Sequence, residues 1–154
     1  MVVKTHSSGL PEQGQTILVV EDDKKLASAL SIRLNAAGYN VVTASDGFKG
    51  LSAAIKYRPN LIVMDIWLPG MIGFVVAERL KETGMKEIPV IFTTASKKVS
   101  LWSMTQEVGA KGFFEKPYEI EDLLAAISWE LTPQGHLRWL DERLRSTHPR
   151  STRE

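Results

Sequence analysis

Carboxylates, two threonine hydroxyls and a lysine ammonium carry the chemistry available to this sequence. Glu21, Asp22 and Asp23 follow an apolar run at residues 17–20, Asp65 follows 61–64, Thr93 and Thr94 follow 90–92, and Lys116 with Pro117 comes just after 112–114. If those run ends meet, carboxylates about 4 Å apart repel by roughly 4 kcal/mol at an effective dielectric near 20, so the cluster calls for a cation. Oxygen donors without imidazole or thiolate suit Mg²⁺, which takes one or two carboxylates together with waters and phosphate oxygens. Such a site points to phosphoryl chemistry, with an aspartate as nucleophile and with lysine and hydroxyl groups against the oxygens of the group in flight. Asp65 is the candidate nucleophile.

Composition removes most rival chemistries. Cysteine is absent, which excludes disulfides, thiolate nucleophiles, cysteine zinc sites and iron–sulfur clusters. The three histidines, His6, His136 and His148, lie near the ends, so residues 16–135 can hold neither a serine–histidine triad nor a histidine metal cage. Neither GxGxxG nor GxxxxGK[ST] occurs among the eleven glycines. A net charge of +1 supplies no overall field for nucleic acid or membrane. The first residues contain no apolar run of signal-peptide length, and no stretch approaches eighteen apolar residues, so the expectation is a cytoplasmic protein without a membrane segment.

Positioning these groups falls to five short apolar runs, at 17–20, 41–44, 61–64, 90–92 and 112–114, alternating with amphipathic segments. Continuous β-branched runs read as strands covered on both faces of a parallel sheet. Leu26, Leu30 and Leu34, and later Ile120, Leu123, Leu124, Ile127 and Leu131, recur at helical spacing. Gly38, Pro59, Gly84 and Gly109 stand where helices should stop. The expected fold is α/β, a doubly wound five-stranded parallel sheet whose sites lie at the carboxyl ends of its strands. The expected organisation is a flexible leader at 1–15, one domain at 16–131 and a basic, partly helical tail at 132–154. That tail carries five arginines, with Leu137, Leu140 and Leu144 on one possible helical face.

Taken in order, ILVVEDD, LIVMDIWLPGMIG, IPVIFTTAS and GFFEKP resemble the receiver domains of bacterial two-component response regulators, including the chemotaxis-type single-domain members. The resemblance covers residues 16–131 and implies a flavodoxin-like fold with strand order 2-1-3-4-5, an order for which a chemotaxis receiver is a standard example. It implies that Asp65 accepts phosphate from a sensor histidine kinase or a histidine phosphotransfer protein. Asp22 would contact Mg²⁺ directly and Glu21 mainly through water, with the Trp67 backbone carbonyl as the third protein ligand. Thr94 matches the switch hydroxyl, Lys116 the active-site lysine, with a cis bond to Pro117, and Phe113 the rotating aromatic. The implied protein is a phosphoacceptor switch that catalyses only its own phosphorylation and dephosphorylation. Its target would dock on the face of the fourth helix, fifth strand and fifth helix, and neither membrane nor nucleic acid is expected to take part.

Plainer readings stand beside these. Glu21, Asp22 and Asp23 can cap the following helix, a role expected of Asp23 in any case. Thr93 reads as a strand former, Lys116 as a surface lysine before a proline turn, and Trp102 and Met104 of the fourth helical segment, which on the partner-face reading would be exposed, as core. Ile72 stands where many relatives carry an acid or amide, and Phe113 lacks the hydroxyl of the commoner tyrosine. Trp67 and Ser96 lie two positions beyond the acceptor and the switch hydroxyl. Neither offers an acid or amide to orient water, so dephosphorylation is expected to be slow, unless Trp67 merely packs on the next loop. The rivals are a phosphate-independent binding module and an aspartate-nucleophile phosphohydrolase. The latter's signature needs an aspartate where this sequence has Trp67.

Overall fold

The computed structural model describes residues 14–132 with the exception of Lys97. Most of the leader, and all of the tail beyond Thr132 including Leu137, Leu140 and Leu144, lie outside the described residues.

Five strands, β1 (Thr16–Val20), β2 (Asn40–Ala44), β3 (Leu61–Asp65), β4 (Val90–Thr94) and β5 (Gly112–Glu115), alternate with α1 (Lys24–Ala36), α2 (Gly47–Tyr57), α3 (Gly73–Glu82), α4 (Val99–Glu107) and α5 (Ile120–Leu131). All pairings are parallel and the order is β2-β1-β3-β4-β5, as expected. The strands begin or end up to two residues beyond the apolar runs. Thr93 pairs with Asp65, so the ladder carries the polar residues of the strand ends in register.

The reading of strands covered on both faces holds for the centre and not for the edges. All five residues of β3 are buried, whereas β2 and β5 are largely half-buried or exposed because each has one neighbour. Two apolar layers flank the sheet. Alternate side chains of β1 and β3 send Leu18, Val20, Ile62 and Met64 to one layer, with Phe74, Val76 and Leu80 of α3. Ile17, Val19, Leu61 and Val63 face the other, with Leu30 and Leu34 of α1 and Leu123 and Ile127 of α5.

Helix ends follow local chemistry. Asp23 caps α1, its carboxylate accepting from the Lys25 and Leu26 amides, a contact that contributes about 1 kcal/mol. Asp46 does the same for α2 through the Lys49 amide. Gly38, Gly84 and Gly109, at φ of 97°, 80° and 74°, reverse the chain after α1, α3 and α4. At the end of α2 the left-handed residue is Arg58, φ 44°, immediately before Pro59.

Candidate functional site

Three successive acids after β1 take three different positions. The Glu21 amide donates to the Ala44 carbonyl at 2.9 Å, extending the ladder and holding the side chain inside, 4 % exposed. Asp22 projects into solvent, and Asp23 caps α1.

Asp65 ends the most buried strand and is itself 6 % exposed. Its Oδ1 accepts from the Trp67 amide at 2.9 Å and its Oδ2 from Lys116 Nζ at 2.6 Å. The same ammonium donates to Glu21 Oε1 at 2.9 Å. Lys116 is aimed there by the backbone: its amide donates to the Thr94 carbonyl at 2.7 Å, and the Lys116–Pro117 peptide is cis, as expected. The plain surface reading of Lys116 is thereby set aside.

Carboxylate oxygens of Glu21, Asp22 and Asp65 lie within 4.8 Å of one another, a spacing that fits a divalent cation held by hard oxygen donors. Burial pushes the Glu21 carboxyl up to about 7, against the Lys116 hydrogen bond, and the neighbouring Asp65 adds to the rise. Burial alone would lower the Lys116 ammonium, but its bonds to Asp65 and Glu21 outweigh this and raise it.

Thr94 is fully buried at the end of β4, its hydroxyl accepting from the Ser96 amide at 3.1 Å, and Thr93 is a buried strand residue. Phe113 is half-buried against the α3-side core, while Phe114 lies on the other face, edge-on to Tyr118 at 5.8 Å between ring centroids. The sequence reading passed over Tyr118, whose hydroxyl is buried without a hydrogen-bond partner. The Trp67 indole is 49 % exposed rather than packed away, and of the two readings of Trp102 and Met104 the exposed one holds and the core one does not, at 54 % and 41 % exposed. The helical period of α4 turns Leu101, not these two, into the core.

Glycines seat the β3–α3 loop around the site. A Cβ at Gly73 would lie 2.5 Å from the Asp65 carbonyl, so only glycine lets α3 begin this close to the acceptor strand. A Cβ at Gly47 would lie 1.9 Å from the Met71 carbonyl, which joins the first turn of α2 to the same loop.

Residues 17–128 match the family described as the response regulator receiver domain. Among curated proteins, the chain is 38% identical over 119 residues to the transcriptional regulatory protein YkoG of Bacillus subtilis, covering 77% of this chain and 52% of YkoG. It is 36% identical to the DNA-binding dual master transcriptional regulator RpaA of Synechocystis, covering 72% of this chain and 46% of RpaA. The chain therefore spans about half the length of these regulators. Among solved structures, the chemotaxis response regulator CheY4 of Vibrio cholerae superposes with a TM-score of 0.72 at 30% identity, over 77% of this chain and 100% of that one. A CheY-like receiver domain from Methanospirillum hungatei gives 0.73 at 25% identity, over 82% and 99%. With this fold, these strand ends and a family match across most of its length, the chain belongs to the response regulator receiver domains of two-component systems.

Proposed function

We propose that this receiver is a phosphoacceptor switch in which Asp65 takes a phosphoryl group from the phosphohistidine of a sensor kinase or phosphotransfer protein. A carboxylate oxygen of Asp65 attacks phosphorus, the P–O bond forms as the P–N bond breaks, and the imidazole leaves with the electron pair and gains a proton. The observation that carries this reading is the Lys116 ammonium bonded to both Asp65 and Glu21 from residues far apart in the chain. Lys116 and the Thr94 hydroxyl are the groups that would meet the equatorial oxygens. Glu21, Asp22, Asp65 and the Trp67 carbonyl are the residues that would hold Mg²⁺, which when bound neutralises phosphoryl charge. Phosphorylation adds a charge of about −1.5 to −2, drawing Lys116 and Thr94 towards it and shifting the population of α4 and Phe113. A protein target then reads the face of α4, β5 and α5.

The domain turns over no external substrate. The transcriptional and DNA-binding roles of YkoG and RpaA are those of the whole regulators, and nucleic acid is no part of this proposal. Among the described residues no helix is long and apolar enough to cross a membrane.

The test is the intact mass after incubation with Mg²⁺ and acetyl phosphate. One labile phosphoryl group is expected, absent in Asp65→Asn and in EDTA. A folded chain that stays unmodified with several donors would overturn the reading and leave a phosphate-independent binding module.

A further inference from the structure

We propose that a cavity at the amino ends of β4 and β5 binds a small organic anion, a single ring or branched chain bearing a carboxylate or phosphate. Val90 opens β4 and Lys111 immediately precedes β5, whereas Asp65 closes β3, so the cavity lies at the far end of the strands from the acceptor and needs no phosphoryl transfer.

The cavity encloses about 190 Å³ between α3, the turn that follows it, the start of β4 and the end of α4. Ala77, Leu80 and Met85 give it a buried apolar floor, and Ile88, Val90 and Val108 are half-buried around it. Its backbone is tied on each side. The Met85 amide donates to the Leu80 carbonyl at 3.0 Å, the Ile88 amide to the Met85 carbonyl at 3.2 Å, and the Lys111 amide to the Val90 carbonyl at 2.9 Å. A recess held in this way is formed before any ligand arrives, as small-molecule sites usually are.

Charge around the recess runs one way. Lys81, Lys86 and Lys111 line it, with Glu87 the one carboxylate beside them. Among the described residues none of the three lysines makes an ion pair. Lys81, in the last turn of α3, reaches across the mouth: its ammonium lies 3.9 Å from where a Cβ on Gly109 would stand, at the turn that closes α4. A lysine near a helix carboxyl end offsets the helix dipole, which is an ordinary role for Lys81. Arg79 already shares that last turn, however, and Lys86 and Lys111 belong to neither helix. An anion whose apolar part fills the recess gives these ammonium groups the charge-assisted hydrogen bonds that the protein does not.

Size and surroundings select the occupant. A dry recess of about 150 Å³ takes benzene, so this one takes a single ring or a branched chain of similar bulk, its acid group at the lysines. None of the large apolar side chains exposed among the described residues lines the cavity. Apolar character therefore stops at the mouth, where a protein partner would need it to continue. With Val108 and Gly109 among the lining residues, an occupant touches α3, β4 and the end of α4 together.

Backbone amide NMR spectra of the full chain, titrated in EDTA with benzoate and with phenyl phosphate, test this. With at least one of them, the amides of Lys81, Lys86, Val108 and Lys111 should shift together, with a dissociation constant below about 1 mM. Benzamide, which lacks the charge, and acetate and inorganic phosphate, which lack the ring, should each bind at least about tenfold more weakly. The double variant Lys81→Gln, Lys111→Gln should lose at least about tenfold in affinity with its thermal midpoint near that of wild type, both side chains being exposed. Equal binding of acetate or inorganic phosphate would reduce the site to surface charge and overturn the proposal, and equal binding of benzamide would remove the lysines from it. Shifts centred on Lys116, no shift at all, or an unaltered affinity in the double variant would overturn it as well. An acidic peptide carrying a phenylalanine that binds here while both ring anions fail would give the cavity to a protein partner instead.

Discussion

Glu21 ties protonation, metal and stability together in a single carboxyl group. Its pKa stands near 7 in the folded chain because burial outweighs the Lys116 hydrogen bond, against an ordinary value of 4.5. Between those values the folded protein holds a proton that the unfolded chain has lost. The folded side binds more protons, so stability must fall as pH rises through this window, being fully present below about 4.5 and lost above about 7. In EDTA, the denaturation midpoint should therefore decline from pH 5 to pH 8 relative to Glu21→Gln, whose neutral amide has no proton to lose. Millimolar Mg²⁺ should remove the decline by supplying the charge the site lacks. Parallel wild-type and Glu21→Gln curves in EDTA would show that burial does not perturb this group. At this scale Glu21, Asp65, Thr94 and Lys116 were legible as residue types at strand ends, because a parallel sheet must bring those ends to one edge. The division of labour within Glu21-Asp22-Asp23 was only half legible: the capping role of Asp23 follows from sequence, whereas the inward turn of Glu21 depends on its amide bond to the neighbouring strand.

Among the elements, the β3–α3 loop and α2 are joined by a contact that no periodicity reveals. Gly47 opens α2 with its Cα against the Met71 carbonyl, where a Cβ would sit at 1.9 Å, far inside contact distance, and the atom it meets is backbone. Gly47→Ala cannot be absorbed by a side-chain rotation, so either α2 or the loop must shift. The expected loss is at least about 1–3 kcal/mol, the range for overpacking, read as a lower midpoint in denaturant at unchanged slope. Acetyl phosphate labelling should fall with it, because the displaced loop carries Trp67, whose amide bonds Asp65. A fully stable alanine variant would mean that the contact is not tight in solution. Helix ends were readable wherever glycine supplied the positive φ, at Gly38, Gly84 and Gly109. The turn after α2 showed only through Pro59, since the left-handed residue there is Arg58. Sheet order was legible through the resemblance, and the alternating pattern alone left it open. Edge exposure of β2 and β5 was missed, because an apolar run looks the same whether one neighbour or two lie beside it.

Across the whole molecule, the proposed path from acceptor to partner face runs through β4, β5 and α4. Among its described side chains, α4 buries Leu101 and Thr105, while Trp102 and Met104 stand in solvent. An element held by so few apolar contacts is drawn from the low-stability end of the structure and can change position at modest cost. Leu101 lies in the same core layer as Phe92 and Phe113, and Phe92 and Phe113 are paired across β4 and β5. Thr94, two residues beyond Phe92, is fully buried at the acceptor end. A pull on the Thr94 hydroxyl therefore acts on the strand against which Phe113 and Leu101 pack. A chain carrying Trp67→Phe, Trp129→Phe and Trp139→Phe keeps Trp102 as its one indole, placed on α4 to report this movement. Beryllofluoride with Mg²⁺, a mimic of the bound phosphoryl group, should shift its emission, and Thr94→Ala should abolish the shift while the mimic still binds. Bound beryllofluoride with an unmoved Trp102 spectrum would break the connection between acceptor and α4, and the partner face would then have to be sought on an element that contacts Asp65 directly.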